Sequence, residues 1–117
     1  MQVRIRIWGG SLGRQTVEIN GAKLLIGREK DCHLQRESEF VSRHHCALLL
    51  DDYTLRIRDL ASKNGTFVNG RRIGVGDTLL LQDDVVSIGE MTFQIDLNQS
   101  PEPEKPTTPP IGRNGRF

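Results

Sequence analysis

Two arginines, a serine and an asparagine lie in segments rich in turn-forming residues: Gly27-Arg28, Ser42-Arg43-His44-His45 and Lys63-Asn64-Gly65-Thr66. A guanidinium can fork two oxygens of one anion, and a hydroxyl or amide adds a directed donor. Donors of this kind converging on one point suit a phosphate, which is doubly negative and presents several acceptor oxygens. Each fragment alone has a plainer reading. Arg28 suits a solvated surface, the Ser42 hydroxyl suits a turn cap, and Asn64-Gly65 is a common hairpin turn. Their order and spacing in one chain give the set its weight.

The same residues also invite a catalytic reading, with Ser42 as nucleophile and His45 as base. Three observations speak against it. No acidic residue is placed to orient that histidine, no Gly-x-Ser-x-Gly elbow occurs, and no metal-ligand set exists. His44, His45 and Cys46 are consecutive at a strand start, so their side chains alternate between faces and do not meet at one ion. The sequence predicts no enzyme, no catalytic residue, no bound metal and no cofactor.

Short strands must position these loops. Val3, Ile5 and Ile7 alternate with Arg4, Arg6 and Trp8, and Val17, Ile19, Leu55 and Ile57 continue the period of two. Lys23–Ile26, Cys46–Leu50, Thr78–Leu81, Val85–Ile88 and Met91–Ile95 are apolar or β-branched runs of strand length. Gly9-Gly10, Asn20-Gly21, Asp51-Asp52, Asn69-Gly70 and Gly89-Glu90 mark turns between them. No window carries a helical stripe. The pattern predicts an all-β antiparallel sandwich or barrel.

All five prolines lie at or after Pro101. The expected division is a folded domain over residues 1–97 and a proline-rich disordered tail over 98–117. The chain of 117 residues suits one domain, and its 36% hydrophobic content suffices for a core. Sixteen basic residues face fifteen acidic ones. That balance gives no net pull toward nucleic acid or a membrane surface, so an anion site has to be local. Aromatics are too few for a base-stacking platform. Cys32 and Cys46 read as buried reduced thiols, and the start of the chain has no signal-peptide pattern, so the expected compartment is the cytoplasm.

The order and spacing of Gly27-Arg28, Ser42-Arg43-His44-His45 and Asn64-Gly65-Thr66-Phe67-Val68-Asn69-Gly70 resemble the forkhead-associated (FHA) domain, a phosphothreonine-peptide reader. The resemblance runs from about Val3 to Ile95. It implies a sandwich of about eleven strands with the peptide site on loops at one end. It further implies that Arg28, Ser42, Arg43 and Lys63 contact the phosphate and that Asn64 holds the backbone of the bound peptide. Gly27, His45, Gly65 and Asn69 would support the site, with the His45 ring turned inward and bonded to loop backbone. The implied partner is a phosphothreonine-containing protein or peptide; the alternative is a phospho-independent protein-interaction scaffold. The loop from Cys32 to Val41 departs from the common pattern, carrying Arg36 among Glu37 and Glu39 where many relatives have aspartates and a proline. The tail offers one candidate ligand of its own. Thr108 precedes a proline and has Ile111 three positions on, so phosphorylated Thr108 could occupy the domain's own site. The plainer reading of the tail is an inert linker.

Overall fold

The structure is a computed structural model that describes residues 2–9 and 13–98. The expected tail, Thr108 included, lies outside the described residues, apart from Asn98. Eleven strands run in chain order: β1 (Gln2–Trp8), β2 (Gln15–Ile19), β3 (Lys23–Gly27), β4 (Leu34–Gln35), β5 (Cys46–Leu50), β6 (Leu55–Asp59), β7 (Phe67–Val68), β8 (Arg71–Arg72), β9 (Asp77–Leu80), β10 (Val85–Ile88) and β11 (Met91–Asn98). They form a six-stranded sheet, β2-β1-β11-β10-β7-β8, and a five-stranded sheet, β4-β3-β5-β6-β9. No helix among the described residues is long and apolar enough to cross a membrane.

Period-two burial builds the sandwich. In β1, Val3, Ile5 and Ile7 are buried while Arg4 and Arg6 face outward, where they pair with Glu18 on β2 and Asp96 on β11. Phe93 and Ile95 on β11 and Val86 and Ile88 on β10 extend the same buried face. Against it the second sheet places Ile26, Leu48, Leu55, Ile57 and Leu80. Each such side chain contributes roughly 1.5–3 kcal/mol by leaving water. That common core holds the two sheets together and keeps their loops in fixed relation.

Three strands were not signalled by the sequence pattern. β4, β7 and β8 have two residues each, too short to show a period. β4 also departs from the expected antiparallel pairing, because it lies parallel to β3, with Ile26 opposite Leu34 and Gly27 opposite Gln35. The chain leaves β3, loops through residues 28–33 and returns alongside in the same direction.

One register relation matters most for function. Ile26 pairs with Cys46, and Cys46 pairs with Asp59. The end of β3, the start of β5 and the end of β6 therefore share one row across the sheet. The loops beyond that row carry Arg28, Ser42 with Arg43, and Lys63 with Asn64.

Candidate functional site

Gly27 ends β3 in close contact with the loop before β5. A Cβ at Gly27 would collide with the Arg43 carbonyl oxygen and would stand 2.9 Å from Cys32 Sγ. The missing side chain lets the two segments touch. Arg28 N donates to the Ser42 and Arg43 carbonyls, both at 3.0 Å, and Glu29 N donates to the Arg43 carbonyl at 3.2 Å. The Cys32 thiol donates to the same carbonyl at 3.4 Å. Arg28 and Arg43 are thus locked side by side through their backbones, while both side chains remain exposed.

His45 ties the three loops together and is fully buried. Its Nδ1 accepts from the Ser42 backbone N–H at 3.0 Å, and its Nε2 donates to the Gly65 carbonyl at 2.8 Å. A backbone N–H can only donate, so Nδ1 carries no proton and the ring is the neutral Nε2–H tautomer. Burial lowers the His45 pKa, against a smaller upward pull from the Gly65 bond and from Asp59. With both nitrogens committed, this ring does not serve as a base for Ser42. The ring is turned inward and bonded to loop backbone at both nitrogens.

Ser42 Oγ accepts the Lys63 backbone N–H at 3.0 Å. Its own hydrogen stays free to donate outward. Asn64 Nδ2 donates to the Phe40 carbonyl at 3.1 Å, leaving its oxygen and a second N–H available. The Arg28, Arg43 and Lys63 side chains make no ion pair among the described residues. Beside Arg28 opens a groove of about 740 Å³ in which Arg28, Lys30 and His44 stand together with Glu29, Asp31, Glu37 and Glu39. Hydrogen bonds thus join the loops that carry Arg28, Ser42 with Arg43, and Lys63 with Asn64, and of these residues Arg28 lines the groove.

Asn69 sits elsewhere. Its φ of 51° is in the left-handed region that asparagine tolerates. Its side chain donates to Asp84 Oδ1 and accepts from Val85 N, both at 2.9 Å. It braces the β7–β8 turn against β10 rather than the loops carrying the cations.

The histidine–cysteine run does not alternate as a strand would, because β5 begins only at Cys46. His44 is exposed with Nε2 3.0 Å from both Asp31 oxygens, His45 is buried, and Cys46 is buried with its thiol pKa pushed up by burial. A different trio does approach: Asp31, Cys32 and His44 place donor atoms within 4.8 Å of one another. Cys32 Sγ in that trio is buried and turned toward the Arg43 carbonyl. Sequence reasoning also missed Asp59, Ser62 and Thr66, which close the turn under Lys63 and Asn64. Asp59 Oδ1 accepts the Ser62 hydroxyl at 2.5 Å and the Thr66 hydroxyl at 2.6 Å, and Oδ2 accepts Ser62 N at 3.0 Å. The only local signal was an aspartate three residues before a serine, which reads as an ordinary turn.

The FHA domain family model matches residues 24–89, from the second residue of β3 to the β10–β11 turn. The chain belongs to the FHA domain family. Among curated relatives, the FHA domain is similar to the ABC transporter ATP-binding/permease protein Rv1747 of Mycobacterium tuberculosis, with 42% identity over 80 residues. That alignment covers 68% of this chain and only 9% of the transporter protein. Among solved structures, one from a study of phosphothreonine-dependent FHA domain interactions has a TM-score of 0.74 and 26% identity. It covers 84% of this chain and 98% of its own. EmbR of Mycobacterium tuberculosis, solved in complex with a low-affinity phosphopeptide, has a TM-score of 0.73 and 25% identity. It covers 85% of this chain and 26% of the EmbR chain.

Proposed function

We propose that this FHA domain is a non-catalytic receptor for phosphothreonine in an extended peptide segment. Arg28, Arg43 and Lys63 supply the charge that meets the phosphate, and the free hydrogen of Ser42 Oγ donates to one of its oxygens. Asn64 holds the peptide backbone beside it. The observation that carries this reading is the cluster itself: exposed cations from three loops around a serine hydroxyl whose lone pair is already engaged by Lys63 N. The buried His45 ring, with both nitrogens bonded to backbone, serves as structure rather than as a base for Ser42. The phosphopeptides bound by EmbR and the phosphothreonine dependence studied in the other FHA structure are consistent with the same ligand class.

The test is a calorimetric titration with a threonine peptide library in phosphorylated and unphosphorylated forms. Binding confined to the phosphorylated pool is expected. Equal binding of both forms would overturn the proposal in favour of a phospho-independent scaffold.

Asn69→Ala is expected to separate bracing from binding. It removes two hydrogen bonds of about 1 kcal/mol each and leaves alanine at a positive φ that asparagine tolerates better. The melting temperature should fall by about 4–8 °C per kcal/mol lost. Phosphopeptide affinity of the folded variant should stay within about twofold, because Asn69 touches neither the Ser42 loop nor the Asn64 turn. A loss of affinity much beyond a factor of two would place Asn69 in the site instead.

A further inference from the structure

We infer that Asp59 is a positioning residue for the phosphate site, one that sets both the Lys63–Asn64 turn and the Ser42 loop without touching ligand. The inference rests on the phosphopeptide reading above. Asp59 is half-buried at the end of β6, behind the turn that bears Lys63 and Asn64. Its carboxylate takes three donors from two residues of that turn, Ser62 and Thr66. Thr66 is fully buried and Ser62 nearly so, and the hydrogen bonds of the carboxylate point back into the turn.

The bonds continue from there as a closed circuit. The Ser62 hydroxyl donates to Asp59 and accepts Gly65 N at 3.1 Å. Gly65, at a φ of +93°, turns its carbonyl to His45 Nε2. His45 Nδ1 receives Ser42 N, and Ser42 Oγ receives Lys63 N, which returns the chain to the turn where it began. Every donor in this circuit has one acceptor, and the Ser62 hydroxyl, which accepts from Gly65 N and donates to Asp59, couples two of the bonds directly. The circuit is anchored on an acceptor-only group, the Asp59 carboxylate. A carboxylate has two oxygens able to receive all three donors, whereas an amide at the same place turns an N–H toward at least one of them. Burial alone would raise the Asp59 pKa; the bonds from Ser62 and Thr66 outweigh that and hold it below the ordinary aspartate value. The anion is thus the form this circuit is built around.

The variant is Asp59→Asn, which preserves size and shape. Four measurements decide the matter. Phosphopeptide affinity should fall by about 10- to 50-fold. In Asp59→Asn combined with Asn64→Ala, the two losses should fail to multiply, because the first already misplaces the second. Combined with Arg28→Ala, whose side chain leaves a different loop, they should multiply. Wild-type affinity in Asp59→Asn, or losses that multiply with both partners, would overturn the inference. In the peptide-free protein, amide exchange at Lys63 and Gly65 should quicken at least tenfold while Leu48 in β5 stays protected. Unchanged exchange at Lys63 and Gly65 would also overturn it. If Asp59→Asn fails to fold, Ser62→Ala breaks the same circuit and is scored by the same cycles. If the wild-type protein ignores phosphorylation altogether, the proposed function fails, and the exchange measurement still decides whether Asp59 holds the turn.

Discussion

Replacing Arg28 by alanine is expected to weaken phosphopeptide binding by about 10- to 150-fold. A hydrogen bond to a charged group contributes roughly 1.5–3 kcal/mol, and each 1.4 kcal/mol is a factor of ten in affinity. The arginine stands at the mouth of the groove with no competing ion pair among the described residues, so it is available to the ligand. Arg28→Lys should recover only part of the loss, because an ammonium does not fork two oxygens. The fold should survive both changes, since the backbone bonds from Arg28 N to the Ser42 and Arg43 carbonyls do not involve the side chain. Calorimetry that finds the folded alanine variant within twofold of wild type would remove Arg28 from the site. A slope of affinity against salt shallower in Arg28→Ala than in wild type would support the charge reading.

His45→Ala should lose both stability and affinity. The change strips the Ser42 N–H of its acceptor and the Gly65 carbonyl of its donor, and it opens a cavity where a fully buried ring stood. An orphaned buried polar group costs about 1–3 kcal/mol, so the sum is on the order of 2–5 kcal/mol. The Ser42 loop would then lose its register with the Asn64 turn. Unchanged melting with lost binding would mean that His45 meets the ligand directly. The same residue gives a pH signature. Its pKa in the folded chain lies below the ordinary value near 6.5. Above pH 6.5 the ring is neutral in folded and unfolded chains alike, and linkage contributes nothing. As pH falls from 6.5 toward the folded value, only the unfolded chain takes up a proton, so stability falls. Below the folded value both states are protonated and the loss levels off. Melting curves of wild type and His45→Asn across this window should converge as the pH drops. Parallel curves would exclude His45 as the titrating group.

Much of the architecture was legible from local pattern. Alternation at Val3, Ile5 and Ile7 reports a pleated strand with one buried face, because side chains of a strand alternate whatever the rest of the fold does. Turn residues at Asn64-Gly65 and Asn69-Gly70 mark reversals for an equally local reason: they accept backbone angles that other residues resist. The chemical types of Arg28, Ser42 and Asn64 indicated an anion before any contact was known. Periodicity did not reveal β4, β7 and β8, since two residues cannot display a repeat. The count of about eleven strands came from the family resemblance.

Only the tertiary structure decided how the loops meet. The row Ile26–Cys46–Asp59 brings together residues that lie up to 33 positions apart, and strand register is a long-range property of the packed core. The tautomer of His45 is likewise set by partners at Ser42 and Gly65 that no neighbouring residue announces. Asp59 shows the difference most plainly. In sequence it is an aspartate at the end of a strand, one of the commonest turn signals. Its work appears once the chain has closed and brought Ser62 and Thr66 onto its carboxylate. A side chain's type follows from the code, but which donors reach it depends on how distant segments pack.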